Sequence, residues 1–246
     1  MAFGTYDQGS SDRGLSTKLW LGCNPDVIRN DPRHGMFVLD DFTNVTALTA
    51  DATENGWKFI ETTAGRVVEV DDEDYGVIAI GGGDETDNNG QAMYKSGATI
   101  TPAAGTTIVV EARVKANTIT AGLQAFIGLV DATDDAAIMA SGATTPTDLV
   151  GFYTPDNTVL TFVGEQGGAA GTITAAHTLA EDTYVKVGFR INGTDDADVY
   201  VNGSKIDNNL VAADIPDSTL RLAIANYSEN TDASLLSVDW VALGVF

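Results

Sequence analysis

The sequence predicts an all-β protein made of two antiparallel sheets packed face to face. Many short segments alternate apolar with polar residues, and turn signals such as Asn192-Gly193 and Asn202-Gly203 separate them. No stretch of ten or more residues has the apolar period of an amphipathic helix. With 246 residues, 43% of them hydrophobic, the chain is long enough for one sandwich with a sizeable core.

Each strand prediction rests on a period of two. In Thr107–Ala116, apolar side chains occupy every second position, and charged side chains such as Glu111 stand between them. Tyr184–Ile191 repeats the pattern, with Lys186 and Arg190 on its polar side. Side chains two residues apart share one face of a strand, so both segments predict a sheet with one buried face and one wet face.

The other predicted strands are short apolar or alternating segments bounded by Gly, Asn, Asp or Pro. Their number favours a sandwich or barrel over any fold with helices. In chain order they are Met36–Phe42, Trp57–Thr62, Arg66–Asp71, Gly76–Ile80, Ala92–Lys95, Leu123–Val130, Leu149–Thr154, Val159–Val163, Ala197–Val201, Leu220–Tyr227 and Leu235–Phe246.

Residues 1–36 differ from the rest and are predicted to form an extended N-terminal arm, followed by a sandwich domain over 37–246. The arm is rich in Gly, Ser, Asp and Asn, with one short apolar run. It is expected to be a loose leader, a segment lying along its own domain, or an arm that docks on a partner. Aromatic and arginine side chains are enriched in binding hot spots, so for the third alternative the candidate contact residues are Leu19, Trp20, Leu21, Arg29 and Arg33.

The charge balance limits the partners of this protein. It has 35 acidic and 13 basic side chains, a net charge of −22. Residues 1–40 have a net charge of only −1, which leaves −21 for residues 41–246. We expect no nucleic-acid binding, because phosphate contacts need clustered Lys and Arg. We also expect no membrane span, because no apolar run approaches about 18 residues.

The sequence has few cysteine and histidine residues that could bind a cofactor or a metal ion. One cysteine and two histidines exclude an intramolecular disulfide and a cysteine-based zinc site, and we expect no cofactor. Asp84–Gly90 and Asp195–Asp198 are rich in oxygen ligands of the kind that hold Ca²⁺. Asx-rich turns between strands have the same composition, so the sequence leaves the metal question open.

One segment contains carboxyl side chains at a spacing that could form a catalytic pair. Glu69–Glu73 follows the spacing E-x-D-x-E, which on a strand places alternate carboxyls on one face. Retaining glycoside hydrolases use two carboxyls about 5–5.5 Å apart. Asp72, however, would place a charge on the opposite, core-facing side. An acidic strand end is therefore expected, and a hydrolase using Glu69 and Glu73 is kept as an alternative.

Several segments together resemble concanavalin A-like and laminin-G-like jelly-roll sandwiches. The resemblance spans residues 37–246 and implies two curved antiparallel sheets. The family includes lectins, glucanases and structural proteins, so it implies no single function. The segments are Phe37–Phe42 (FVLDDF), Tyr184–Asn192 (YVKVGFRIN), Asp198–Gly203 (DVYVNG), Leu220–Asn226 (LRLAIAN) and Leu236–Gly244 (LSVDWVALG).

A near-neutral arm before a jelly roll, without a signal peptide or a catalytic motif, is similar to virion proteins of tailed bacteriophages. This resemblance implies a non-enzymatic capsid decoration, or cement, protein that binds the major capsid protein. We expect a homo-oligomer on the capsid surface, made in the host cytoplasm and kept soluble by its like charge. The alternative is a lectin-like carbohydrate-binding module whose partner is a surface glycan.

Overall fold

A computed structural model describes residues 14–45, 53–61, 68–69, 76–81, 89–117, 123–131, 138–140, 143–155, 158–228 and 234–246. Two antiparallel sheets make up most of this part of the chain, so the all-β, two-sheet prediction is confirmed. Helical structure in the described residues consists of α1 (Pro25–Asn30) and two single 3₁₀ turns, Pro32–His34 and Ala212–Asp214. None of these helices is long and apolar enough to cross a membrane.

The strands are numbered in chain order. They are β1 (Met36–Asp40), β2 (Thr53–Glu54), β3 (Trp57–Glu61), β4 (Val68–Glu69), β5 (Ile78–Gly81), β6 (Asn89–Ile100), β7 (Thr107–Ala116), β8 (Leu123–Val130), β9 (Met139–Ala140), β10 (Ala143–Thr144), β11 (Leu149–Tyr153), β12 (Val159–Gln166), β13 (Ala169–Thr178), β14 (Val185–Asn192), β15 (Asp196–Val201), β16 (Ser204–Val211), β17 (Leu220–Ser228) and β18 (Leu235–Val245).

Sheet A has the order β16-β15-β14-β7-β18-β5-β4. The strand β1 also pairs with β18, along residues 241–245, whereas β5 pairs with residues 235–238. Sheet B has the order β13-β12-β11-β8-β17-β6-β3-β2, and β9 and β10 form a separate hairpin. Neighbouring strands are often distant in sequence, as in the β7–β18 and β8–β17 pairs. This is the connectivity of a jelly roll, with every ladder antiparallel.

The main core lies between the two sheets and follows the predicted alternation. The alternating segment β7 and the strand β8, both of whose faces are buried, have the bounds that the sequence predicted. At its centre, Phe152 and Phe162 of sheet B meet Phe189 of sheet A, with ring centroids 5.2 Å apart for Phe162 and Phe189. Tilted aromatic pairs of this kind add about 0.5–1.5 kcal/mol beyond the area that they bury.

The sequence did not predict two long strands, β13 and β16, which form one edge of each sheet. In β13 only Ile173 is fully buried, and in β16 only Leu210. An edge strand with most side chains in water has no reason to alternate, so the period of two is absent. These strands follow from pairing with β12 and β15, which the local sequence does not encode.

Residues 14–24 lie along the outer face of sheet A, so the described part of the arm packs on its own domain. Leu19 and Trp20 are buried there, at 0% and 6% exposure. Two glycines of the sheet make room for them. A Cβ atom at Gly188 would lie 2.4 Å from a Leu19 methyl group, and one at Gly244 would lie 2.7 Å from the Trp20 ring.

A buried carboxylate holds this segment. Glu111 of β7 is 1% exposed, and its Oε2 accepts hydrogen bonds from the Trp20 indole at 2.7 Å and the Ser16 backbone N–H at 2.9 Å. Burial raises the pKa of Glu111, while these donors and the nearby positive charge of Lys186 partly offset that rise. The sequence predicted Glu111 on the solvent-exposed face of its strand. It is buried because residues 14–24 cover that face.

Two basic side chains of β14 bind the backbone of the same segment. Lys186 Nζ donates to the carbonyl of Gly14 at 3.0 Å, and Arg190 donates to the carbonyl of Leu21 at 2.6 Å. The predicted arm, residues 1–36, is not extended throughout, because α1 and a 3₁₀ turn lie within it. The Asn24 side chain caps that helix by accepting from the Val27 N–H at 3.2 Å.

We predict that Trp20→Ala strongly lowers the free energy of unfolding, by about 3–5 kcal/mol, since it empties a buried site and removes a donor to Glu111. Urea unfolding followed by circular dichroism measures the change. The control is the adjacent Leu21→Ala, at a side chain that is 70% exposed, for which we expect a change within about 0.5 kcal/mol. Equal effects of the two variants would contradict the docking of Trp20.

We predict that Glu111→Gln gains stability relative to the wild type as the pH rises. The pKa of Glu111 is raised in the folded state, so its stabilising contribution is present below the unfolded-state pKa and is lost as the pH passes the folded-state pKa. Unfolding free energies of both proteins from pH 4 to 8 measure the difference. The control, Glu181→Gln, changes a carboxyl in an exposed turn. A wild-type advantage that grows with pH would contradict the prediction.

Candidate functional site

The two outer faces of the sandwich differ in what covers them. Residues 14–24 fill part of the outer face of sheet A, whereas the outer face of sheet B has its own cluster of buried apolar side chains, with Tyr153 packed against it and partly exposed. Val130, Leu149 and Glu165 form one cross-strand row on β8, β11 and β12. Tyr153 lies on the same face, four residues along β11 from Leu149, and is half-buried.

Three carboxyls interact electrostatically at one end of sheet B. Asp131 follows β8 and Asp148 precedes β11, and the Asp131 N–H donates to the Asp148 carbonyl at 3.0 Å. Glu165, near the end of β12, accepts from the Thr144 hydroxyl at 3.3 Å. The Gly167 N–H donates to the Asp148 carboxylate at 3.3 Å. The antiparallel order of β8, β11 and β12 therefore brings together carboxyls that are far apart in sequence.

The environment of Asp131, Glu165 and Tyr153 favours the protonated form of each side chain. Burial raises the pKa of Asp131, and the charge of Asp148 raises it further. Burial also raises the pKa of Glu165, as do the charges of Asp148 and Asp131, while the bond from Thr144 opposes them. Burial and then the charge of Glu165 raise the pKa of the Tyr153 hydroxyl. The four groups thus form one electrostatically coupled cluster.

This arrangement has the chemistry of a site for polar, uncharged molecules. A half-buried aromatic ring offers an apolar surface, and neighbouring carboxylates accept hydrogen bonds from hydroxyl groups. A carboxyl with a raised pKa is also suited to donate a proton as a general acid. In the described part of the chain, no group of three or more His, Cys, Asp or Glu side chains is placed to hold a metal ion.

Of the two candidate calcium loops, the structure describes the side chains of one, Asp195–Asp198. In Asp195–Asp198, Asp196 accepts a hydrogen bond from the Asn192 amide at 2.6 Å, and Asp198 pairs with Lys205 at 2.6 Å. These carboxylates are therefore engaged by the protein itself. Residues 84–88 of the other loop lie outside the described residues.

The alternative catalytic pair, Glu69 and Glu73, is not brought to the carboxyl group of sheet B. The backbone of Glu69 pairs with Ile78 at the edge of sheet A. The Glu69 side chain and the whole of Glu73 lie outside the described residues.

Of the predicted partner-contact residues, Leu19 and Trp20 are buried against the chain's own sheet A. They pack with Val109, Tyr200 and other residues of that face, so their apolar surface is already covered. The hot-spot composition of this run therefore reflects an internal contact. The neighbouring Leu21 points to solvent.

The two predicted arginines are exposed, and both have contacts within the chain. Arg29 lies over the Phe37 ring at 4.9 Å from its centroid. Arg33 pairs with Asp31 at 2.7 Å with 87% of its side chain exposed. A partner contact through Leu21, Arg29 and Arg33 stays a prediction.

Sequence reasoning missed Asp131, Asp148, Glu165 and Tyr153 as a group. Each comes from a different loop or strand position, and no contiguous motif joins them. Their proximity depends on the register of β8, β11 and β12. An acidic residue at a strand end was the only local signal, and this sequence has many of those.

Comparison with known proteins identifies the fold. No family model matches the sequence, and no curated protein matches it. Among solved structures, a protein of unknown function from Shewanella oneidensis MR-1 is 15% identical over 86% of each chain, with a TM-score of 0.60. Peanut lectin is 12% identical over 86% of this chain and 98% of its own, with a TM-score of 0.56.

An endo-β-1,3-glucanase from Pyrococcus furiosus is 15% identical over 85% of this chain and 94% of its own, with a TM-score of 0.57. Other glucanases, including a glycoside hydrolase family 16 enzyme from Bacteroides ovatus, are similar to the same degree. At these identities the similarity establishes the fold alone. The prediction of a concanavalin A-like jelly-roll sandwich is confirmed.

These similarities correct the prediction that the chain is not an enzyme. Several solved structures with this architecture are endo-glucanases, so the fold accommodates glucan hydrolysis in other proteins. The exclusion of catalysis rested on the lack of a contiguous motif. That reasoning was wrong, because sheet register brings carboxyls together from separate strands. The capsid role stays a prediction, since the similarities do not bear on it.

We predict that Asp148→Asn lowers the pKa of both Asp131 and Glu165, because it removes a negative charge that raises both. Carbon-detected NMR titration of the side-chain carboxyls measures the two values. Asp195→Asn, in the exposed turn between β14 and β15, is the control and should leave both titrations unchanged. A rise in either pKa in Asp148→Asn would contradict the coupling.

Proposed function

We propose that this protein binds a neutral polysaccharide along the outer face of sheet B. The observation that carries the proposal is the half-buried Tyr153 on that face, whose hydroxyl interacts electrostatically with Glu165, which in turn interacts with Asp148 and Asp131. The corresponding face of sheet A is occupied in part by residues 14–24.

The chemistry of the cluster matches a sugar chain. One side of a pyranose ring is apolar and packs on an aromatic ring, while its hydroxyls donate to carboxylates. The fold neighbours support this reading, since peanut lectin and several endo-glucanases are built on the same sandwich. Fold similarity alone does not assign a ligand, so the side chains carry the proposal.

Charge favours a neutral glycan over an acidic one. The protein has a net charge of −22, and three carboxyls stand at the proposed site. A polyuronate would bring further negative charge to this surface and be repelled, most strongly at low ionic strength.

The same cluster supplies groups for chemistry on a bound glycan. Glu165 and Asp131 have raised pKa values, which suit a carboxylic acid that protonates a glycosidic oxygen. We therefore include glycan hydrolysis in the proposal, with Glu165 as the candidate acid because burial and the charges of Asp148 and Asp131 raise its pKa. Glu165 protonates the glycosidic oxygen as that bond breaks, and a water molecule adds to the anomeric carbon and loses a proton.

Capsid decoration, with the major capsid protein as partner, stays a second candidate. One observation favours a protein contact at the arm: Leu21 and Val27 are exposed apolar side chains, at 70% and 42%, close in sequence to Arg29 and Arg33. Exposed apolar and arginine side chains in a near-neutral segment suit a protein partner. A virion location and homo-oligomer formation rest on the sequence resemblance.

We predict that the wild type binds mixed-linkage β-1,3-1,4-glucan or β-1,3-glucan and does not bind polygalacturonate. We expect Tyr153→Ala to weaken that binding by about tenfold or more, since it removes the stacking surface. Affinity electrophoresis in gels containing each polysaccharide measures the binding. The control is Tyr184→Ala, at a half-buried tyrosine that stacks on Arg113 of sheet A.

Glycan cleavage is measured in parallel as the release of reducing ends. If the wild type cleaves a glucan, Glu165→Gln should abolish release and retain binding. Binding to polygalacturonate alone, or to none of the three polysaccharides, would contradict the proposed function.

A further inference from the structure

The site on sheet A that holds residues 14–24 is built from three neighbouring strands, and we call it the docking site. Its space comes from two glycines, Gly188 of β14 and Gly244 of β18, and its polar centre is the buried Glu111 carboxylate of β7. Each of these strands pairs with another strand on both sides. The backbone of the docking site is therefore fixed by the sheet and not by the segment that fills it.

The segment is attached to this site without a strand ladder. Residues 14–24 form turns and no strand. The hydrogen bonds described above join them to side chains of the sheet: Glu111 accepts two, and Lys186 and Arg190 donate one each. A segment held in this way leaves the sheet and docks again without breaking any pairing between strands.

A short connection, residues 25–34, links the segment to the sandwich. Its helix α1 has six residues, which is fewer than a helix needs to be stable on its own. The connection ends at Gly35, where a Cβ atom would collide with the Val245 carbonyl of β18, so this end is fixed to sheet A. When α1 unwinds, the connection spans about 35 Å, and the segment reaches a neighbouring molecule.

Charge favours docking of this segment on an acidic molecule. Residues 14–24 contain Lys18 and no acidic side chain, which gives them a net charge of +1, whereas residues 41–246 carry −21. A second copy of this chain presents the same acidic sandwich and the same docking site. The segment is therefore complementary in charge to a second copy, although the two sandwiches repel each other at low ionic strength.

Apolar exposure is concentrated in and next to the docked segment. Among the described residues, the exposed large apolar side chains are Leu21, Val27, Leu39 and Val211. The first three belong to the segment, to α1 and to β1. In a contact between two copies related by a twofold axis, these side chains meet the same surface of the partner and gain apolar cover that a single copy lacks.

We propose that residues 14–24 of one copy dock on sheet A of a second copy, which forms an arm-exchanged dimer. The contacts of the exchanged segment are those that it makes within a single chain. Docking within one chain benefits from an effective concentration of about 1 mM, so exchange occurs where the protein itself approaches that concentration or where copies are held side by side. This inference does not depend on glycan binding.

Disulfide trapping between two different chains tests the exchange, because it excludes docking within one chain. The Sγ atom of Cys23, the one cysteine of the chain, lies 3.4 Å from the position of a Cβ atom at Gly244, close enough for a disulfide. The wild type supplies a thiol in the segment, and Cys23→Ser/Gly244→Cys supplies a thiol only in the docking site. The two proteins are mixed and oxidised over a range of protein and salt concentrations, and mass spectrometry identifies the linked peptides.

We expect a mixed dimer linked through positions 23 and 244. Its fraction should rise with protein concentration and with salt, since salt screens the repulsion between the two acidic sandwiches. Trp20→Ala in place of the wild type keeps Cys23 but loses the buried ring, and should lower the fraction at least tenfold. If circular dichroism shows Trp20→Ala to be unfolded, Trp20→Phe takes its place. Gly244→Cys alone, in dilute solution, is the positive control and should form an internal disulfide.

Two outcomes of the trapping experiment would overturn the inference. An internal disulfide in Gly244→Cys without any mixed dimer at about 1 mM would show that the segment docks only within its own chain. Equal yields of mixed dimer from the wild type and the Trp20 variant would show that the disulfide forms by random collision. If Gly244→Cys forms no internal disulfide, sedimentation equilibrium of the wild type decides. A dimer that the Trp20 variant lacks supports the exchange, and a monomer at every concentration overturns it.

Discussion

The covering of the outer face of sheet A depends on the hydrogen bonds from Trp20 and Ser16 to the buried Glu111 carboxylate. They hold residues 14–24 on sheet A, where two glycines leave room for Leu19 and Trp20. A carboxylate in such a place is costly unless donors satisfy it, so the segment and the sheet depend on each other.

The sequence predicted well those parts of the fold in which the side-chain pattern is local. The alternation of β7 reflects one face packed on the core, and both β7 and β8 have the predicted bounds. It could not predict that Glu111 is buried, because its cover comes from residues 91 and 95 positions earlier in the chain. For the same reason Trp20 resembled an anchor for a partner when its site lies on the chain's own sheet.

The candidate site could not be predicted, because it is a product of register. Asp131, Asp148 and Glu165 belong to separate segments, and only the pairing of β8 with β11 and of β11 with β12 unites them. Function on this fold is therefore better sought in cross-strand rows than in contiguous motifs.

The central claim is that the outer face of sheet B is the glycan-binding surface. Hydrogen–deuterium exchange of the wild type, with and without mixed-linkage β-glucan, tests it most directly, because it reports where the ligand lies. The account predicts slower exchange in β8, β11 and β12 and unchanged exchange in residues 14–24. Slower exchange confined to residues 14–24 and the outer strands of sheet A would contradict it.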